Sequence, residues 1–112
     1  MDETIMSNSK VGKRLKNYKK FDIFKLSYQG KSLPVVSSIT IGRDKSNAIQ
    51  IDDNLTSRQH AVIQKIKDTY FIKDLHSTNG TFVNNKIVPE GEYIKLHRND
   101  VVKIGRTEII VT

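Results

Sequence analysis

Three short stretches of this chain concentrate side chains that can donate hydrogen bonds to an anion: Gly42-Arg43, Ser57-Arg58-Gln59-His60 and Ser77-Thr78-Asn79-Gly80-Thr81. In the first, a glycine lets the backbone turn and an arginine leaves the end of a strand with a planar fork of donors. Taken alone, a Gly-Arg step is more often a turn with a solvated guanidinium. The second offers a hydroxyl, another guanidinium and an imidazole within four residues. Ser57 and His60 invite a nucleophile-and-base reading, but a hydrolase also needs a carboxylate orienting the imidazole and an oxyanion site. Asp52 and Asp53 are only near in sequence, and no nucleophile elbow is present. The better reading makes His60 structural, its ring nitrogens tying loop backbone together while Ser57 faces outward. In the third stretch Asn79-Gly80 is a strong two-residue hairpin signal. A tight turn needs Gly80 but not three neighbouring hydroxyls, and these add donors for an oxyanion or a peptide backbone.

A group that satisfies Arg43, Ser57, Arg58, Thr78 and Asn79 together must accept hydrogen bonds from several directions. A tetrahedral phosphate does so, with about 1.5 to 2 negative charges at neutral pH and three strong acceptor oxygens. The rival phosphate cradles, GxxxxGK[ST] and GxGxxG, do not occur. His60, His76 and His97 stand at no metal-ligand spacing, so neither a metal nor a cofactor is expected and no enzyme activity is read.

These stretches fall between runs that read as strands. Phe21, Ile23, Phe24, Leu26 and Tyr28 form an apolar, aromatic run that ends at Gly30. Leu33–Val36, Ile39–Ile41, Ile49–Ile51, Ala61–Ile66 and Tyr70–Leu75 follow, then Thr81–Val83, Lys86–Val88, Tyr93–Leu96, Val101–Ile104 and Glu108–Val111. No long helix is readable between them. Many short strands with turn residues between them predict an all-β sandwich or barrel. Along Ala61–Ile66, Ala61 and Ile63 share one face while Val62, Gln64 and Ile66 share the other, which predicts a strand covered on both sides.

With 112 residues, 37% hydrophobic and 28% charged, the chain has the size and composition of one globular domain plus a tail. Residues 1–20 are polar and Lys-rich and are expected to form a flexible tail, with the domain at 21–112. The formal charge of +7 is concentrated there: six Lys and Arg against Asp2 and Glu3 give the tail +4, leaving +3 for the rest. Binding of nucleic acid or an acidic surface by this tail is the alternative function, discriminated by deleting residues 1–20. Thr4, beside Asp2 and Glu3, is a candidate phosphoacceptor that would fold back onto the chain's own site. The absence of cysteine excludes disulfides and permits a reducing cytoplasm, and no apolar run is long enough to span a membrane or head a secretory signal.

Ile41-Gly42-Arg43, Asn47–Ile51, Ser57-Arg58-Gln59-His60-Ala61 and Ser77–Asn84 together resemble the forkhead-associated (FHA) domain family in order and spacing, over Phe21–Thr112. The resemblance implies a β-sandwich of about eleven strands with its chain ends close together and a phosphothreonine site on loops at one end. It implies that Arg43 and Ser57 bind phosphate oxygens, that Arg58 adds a contact, that Thr78 closes the site and that Asn79 bonds the peptide backbone. Gly42, His60 and Gly80 shape the loops. Asn84-Asn85 departs from the family's usual Asn-Gly, which leaves a peptide contact from Asn84 in doubt. The implied partner is a phosphothreonine-containing protein, with a Ser/Thr kinase or its substrate as the candidate. A preference for threonine over serine follows if its methyl is buried, worth about 1 kcal/mol. The choice of residue three positions beyond the phosphothreonine is assigned to loop side chains such as Leu55 and Thr56, the apolar Leu55 disfavouring an acidic requirement.

Overall fold

The structure is a computed structural model that describes residues 23–112; the basic segment 1–20, Thr4 and Phe21 lie outside the described residues. Eleven strands are present among the described residues: β1 (Lys25–Tyr28), β2 (Lys31–Pro34), β3 (Ser38–Gly42), β4 (Ile49–Gln50), β5 (Ala61–Ile66), β6 (Thr69–Asp74), β7 (Thr81–Val83), β8 (Lys86–Ile87), β9 (Tyr93–Lys95), β10 (Val101–Ile104) and β11 (Thr107–Val111). They form two sheets, a five-stranded one in the order β9-β6-β5-β3-β4 and a six-stranded one in the order β2-β1-β11-β10-β7-β8. All pairings are antiparallel except β3 with β4, where Ile41 lies beside Ile49.

Alternation along the strands explains the sandwich. Ile39 and Ile41 of β3, Ala61 and Ile63 of β5, and Tyr70 and Ile72 of β6 turn one face of the five-stranded sheet inward. Val102 and Ile104 of β10, Ile109 and Val111 of β11, and Leu26 of β1 do the same from the other sheet, and together they make one core. The described chain ends meet: the Lys25 N–H donates to the Thr112 carbonyl at 3.2 Å and the Thr112 N–H returns a bond to Lys25 at 2.8 Å. Phe24 stacks on Tyr70 with ring centroids 4.1 Å apart, which packs the entry of the chain against the five-stranded sheet.

The strand runs match expectation to within about two residues at their ends, except that the first starts at Lys25 and leaves Ile23 and Phe24 outside it, and β5 does not have two covered faces. Ala61 and Ile63 are fully buried, whereas Ile66 on the opposite side is 48% exposed. A central position in the sheet supplies β5 with neighbours on both edges, β3 and β6, without supplying a second layer. The Asn79-Gly80 step is a second departure, because it closes no two-residue hairpin. β6 before it and β7 after it belong to different sheets, so residues 75–80 carry the chain from one layer to the other.

Candidate functional site

Three connections meet at one end of the sandwich, and direct hydrogen bonds join them. The β3–β4 loop is fixed to the β4–β5 loop by the Arg43 N–H donating to the Ser57 carbonyl at 3.0 Å and by the Asp44 N–H reaching the Arg58 carbonyl at 3.3 Å. The β6–β7 connection joins them through the Thr78 N–H, which donates to Ser57 Oγ at 3.1 Å. Asn79 Nδ2 donates to the Leu55 carbonyl at 3.0 Å. Arg43, Ser57, Arg58, Thr78 and Asn79 therefore stand on one rim, with Ser57 half-buried and the other four exposed.

Buried side chains hold this rim in place. His60 is fully buried; its Nδ1 accepts the Ser57 N–H at 3.0 Å and its Nε2 lies 2.9 Å from the Gly80 carbonyl. Since a carbonyl can only accept, Nε2 carries the hydrogen, and the neutral ring spans two of the three loops. Gly42 is required for a different reason: a Cβ there would lie 2.1 Å from the Arg58 carbonyl oxygen and 2.7 Å from Asn47 Nδ2. Gly80 has φ of +87°, a conformation a side chain disfavours, and its N–H donates to Ser77 Oγ at 3.0 Å.

Three further supports escaped the sequence reading. Asn47 is buried and its Nδ2 donates to the Asp44 and Arg58 carbonyls at 2.9 and 2.8 Å, stitching the first loop to the second. Buried Asp74 accepts the Ser77 hydroxyl at 2.6 Å, the Ser77 N–H at 3.0 Å and the Thr81 hydroxyl at 2.7 Å. Burial opposes its charge, but these donors together hold its carboxyl below the ordinary aspartate range. Asp53 accepts from the Leu55 N–H, the Thr56 hydroxyl and the Arg106 N–H at 2.8, 2.9 and 3.2 Å. Desolvation is again outweighed by these donors, with the Arg106 charge adding to them, and its carboxyl too lies below the usual range. Acidic residues followed two or three positions later by an N–H or hydroxyl donor, as in Asp53-x-x-Thr56 and Asp74-x-x-Ser77, are the local signal that marks such turns.

Thr56, assigned to ligand choice, and Asn84, whose peptide contact was in doubt, are both otherwise engaged. Thr56 is buried with its hydroxyl on Asp53, so it lines no outer surface, while Leu55 remains exposed. Asn84 donates through Nδ2 to Asp100 Oδ1 at 2.9 Å and accepts the Val101 N–H at 2.9 Å, so its amide bonds the turn to β10.

Set beside known proteins, the fold and its loops have clear relatives. The profile described as FHA domain matches residues 39–105, which contain all three connections. The chain belongs to the FHA domain family. A curated FHA relative, the FHA domain-containing protein FhaA of Mycobacterium tuberculosis, is 39% identical over 71 residues, 63% of this chain and 13% of that protein. The chain spans 13%, 8% and 31% of the length of three such curated relatives. Among solved FHA structures, one from a structural and functional analysis of phosphothreonine-dependent FHA domain interactions superposes with a TM-score of 0.72 at 32% identity, covering 80% of this chain and 94% of that one. The FhaA FHA domain complexed with the intracellular domain of Rv3910 does so with the same TM-score and identity, over 80% and 99%.

Proposed function

We propose that this FHA domain is a phosphothreonine-dependent interaction module, taking phosphorylated segments of other proteins at the rim formed by Arg43, Ser57, Arg58, Thr78 and Asn79. The observation that carries the reading is the hydrogen bonding of all three donor-bearing loops to one another. Arg43 is held by its backbone at both ends, its N–H on Ser57 and its carbonyl accepting from Gln50 Nε2 at 3.1 Å, so its guanidinium leaves a fixed point. Neither Arg43 nor Arg58 has a carboxylate partner among the described residues, which leaves both charges for a phosphate. Ser57 Oγ accepts from Thr78, which leaves the serine's own hydrogen to donate to a phosphate oxygen. Asn79 keeps its Oδ1 and one amide hydrogen for the backbone of the bound segment. Gly42, His60 and Gly80 act beneath the rim and touch no ligand.

The domain so defined runs over 21–112, with 1–20 outside it; its partner is a phosphothreonine protein such as a kinase or its substrate, met in the cytoplasm. The chain itself catalyses nothing in this reading. Among the described residues no helix is long and apolar enough to cross a membrane. Titration calorimetry with a phosphothreonine peptide library tests the proposal, and peptides that bind equally well after phosphatase treatment would end it.

A further inference from the structure

Asn79-Gly80 is the one Asn-Gly step in the chain, and it sits in the rim itself, on the crossover from β6 to β7. The backbone nitrogen of a glycine is the least hindered nucleophile that a preceding asparagine amide can meet, because no Cβ stands beside it. Asn79 is exposed, so water reaches its side chain. Asn84 and Asn85 are followed instead by Asn85 and Lys86, whose side chains crowd the next nitrogen. Both groups that would react at Asn79 are tied by hydrogen bonds. Asn79 Nδ2 donates to the Leu55 carbonyl at 3.0 Å, and the Gly80 N–H donates to Ser77 Oγ at 3.0 Å. Ser77 gives its own hydrogen to Asp74 Oδ1 at 2.6 Å, so the nitrogen is anchored through a hydroxyl to a buried carboxylate.

We infer that Asn79 is a site of spontaneous deamidation, restrained by the Asp74–Ser77 pair and by a bound phosphorylated segment, and that its conversion switches phosphopeptide binding off. The Gly80 nitrogen loses its proton to solvent and bonds to Asn79 Cγ; the Cγ–Nδ2 bond breaks, ammonia leaves and a cyclic succinimide remains. Water then opens the ring at either carbonyl and leaves aspartate or isoaspartate, so the net change is amide plus water to carboxylate plus ammonium. Either product places a negative charge on the rim and removes the amide hydrogens that serve Leu55 and the bound backbone. Isoaspartate also routes the main chain through a methylene, between Thr78, whose N–H is bonded to Ser57, and Gly80. A carboxylate and hydroxyl on the attacking nitrogen would activate it if the carboxylate were a strong base. Asp74 is a weak one: against its burial, the donors of Ser77 and Thr81 hold its carboxyl below the ordinary aspartate range. The pair therefore acts by holding the nitrogen to Ser77, and reaction waits on local opening of the turn. The chemistry stands on this loop alone; the loss of binding rests on the phosphothreonine reading above.

Keeping the full chain at mildly alkaline pH and physiological temperature, with and without a phosphothreonine peptide, tests this. Fragmentation of the tryptic peptide of residues 74–86, which carries Asn79, Asn84 and Asn85 together, locates the change by mass spectrometry. Asn79 is expected to convert ahead of the other two. Ser77→Ala should speed its conversion about fivefold, the rise in opened population that loss of one hydrogen bond brings, and saturating peptide should slow it in the parent. If that variant melts as unfolded, the comparison of free and peptide-bound parent carries the test of restraint. Asn79→Asp should bind the peptide about tenfold more weakly than Asn79→Ala, since repulsion of the phosphate is added to loss of the amide. Conversion of Asn79 no faster than that of Asn84 and Asn85 overturns the site. Slower conversion in a folded Ser77→Ala would make the pair an activator and overturn the restraint, as would an equal rate in free and peptide-bound parent. Equal binding by the aspartate and alanine variants overturns the part assigned to charge. Conversion of Asn79 in a domain that binds no phosphorylated peptide overturns the switch together with the functional reading and leaves the deamidation site standing.

Discussion

The two ends of the sandwich solve the same problem of reversing the chain in different ways. Where β5 and β7 end after leaving the rim loops, Lys67-Asp68 and Asn84-Asn85 are tight turns between paired strands, Ile66 opposite Thr69 and Val83 opposite Lys86. Lys67, Asn84 and Asn85 take positive φ, and the ladder itself sets the geometry. At the rim no ladder runs between the loops. Their relative positions rest on Gly42, Asn47, Asp53, His60 and Asp74, of which all but Asp53 are buried. Backbone pairing suffices where a turn only has to close; buried polar clamps are required where donors from separate loops must stand at fixed distances around a ligand.

The contrast breaks most sharply at Gly42. An alanine methyl there would overlap a carbonyl at 2.1 Å, whereas at Gly91 it would meet nothing within 4 Å and face only a φ of +79°. Gly42→Ala is therefore expected to cost about 4 kcal/mol or more and Gly91→Ala about 1 kcal/mol, both read from urea unfolding midpoints. Equal costs would mean that the rim tolerates rearrangement.

Arg43 separates holding the rim from using it. Its side chain is exposed and its backbone makes the loop contacts, so Arg43→Ala should weaken phosphopeptide binding by about 2 to 5 kcal/mol and leave the melting temperature almost unchanged. Loss of folding in this variant would place the guanidinium among the clamps. A Thr→Asp peptide should likewise bind poorly, since a carboxylate supplies less charge and two coplanar oxygens.

Asp74 sharpens the comparison through pH. Its carboxyl titrates below its unfolded value, so the unfolded state binds more protons at acidic pH and stability rises with pH there. The contribution is complete above the ordinary aspartate value of about 4 and is lost as pH falls through the lower folded value. Asp74→Asn should cost about 2 kcal/mol at neutral pH, where charge-assisted bonds to Ser77 and Thr81 are replaced by neutral ones. It should also flatten the fall in stability below about pH 4, with a residual slope from Asp53, whose carboxyl is depressed in the same sense. An unchanged acid limb in urea unfolding would remove Asp74 from the clamps.

How much of this was readable beforehand follows from range. Ala61–Ile66, Thr81–Val83 and Val101–Ile104 have the bounds expected from the sequence, because period-two alternation is a local signal. The donor stretches were legible too, since glycine, arginine and hydroxyl clusters between strands announce loops. What joins them was not. Asp53 meets Arg106 across 53 positions and Asn79 reaches Leu55 across 24, distances no spacing rule spans. Asn79-Gly80 misled for the complementary reason: a strong local hairpin signal was overruled because its flanking strands were recruited by different sheets. Outer-face burial at Ile66 failed likewise, since periodicity reports which residues share a face and not whether another layer covers it.

The smallest effect is expected at the Asn84-Asn85 turn, where Asn85 has φ of +68° and makes no side-chain hydrogen bond among the described residues, while Asn84 at +51° bonds Asp100 and Val101. Two residues of positive φ in succession describe the turn for which Asn-Gly is the preferred pair, and glycine adopts this conformation without the strain that a side chain carries. Asn85→Gly should stabilise the domain by a few tenths of a kcal/mol, offset in part by the greater freedom of glycine in the unfolded chain. Asn84→Gly should instead destabilise by about 1 kcal/mol, because it removes two hydrogen bonds that tie the turn to β10. If thermal melts show both variants destabilised, both amide side chains hold the turn as the clamps hold the rim, and the difference between the two ends disappears.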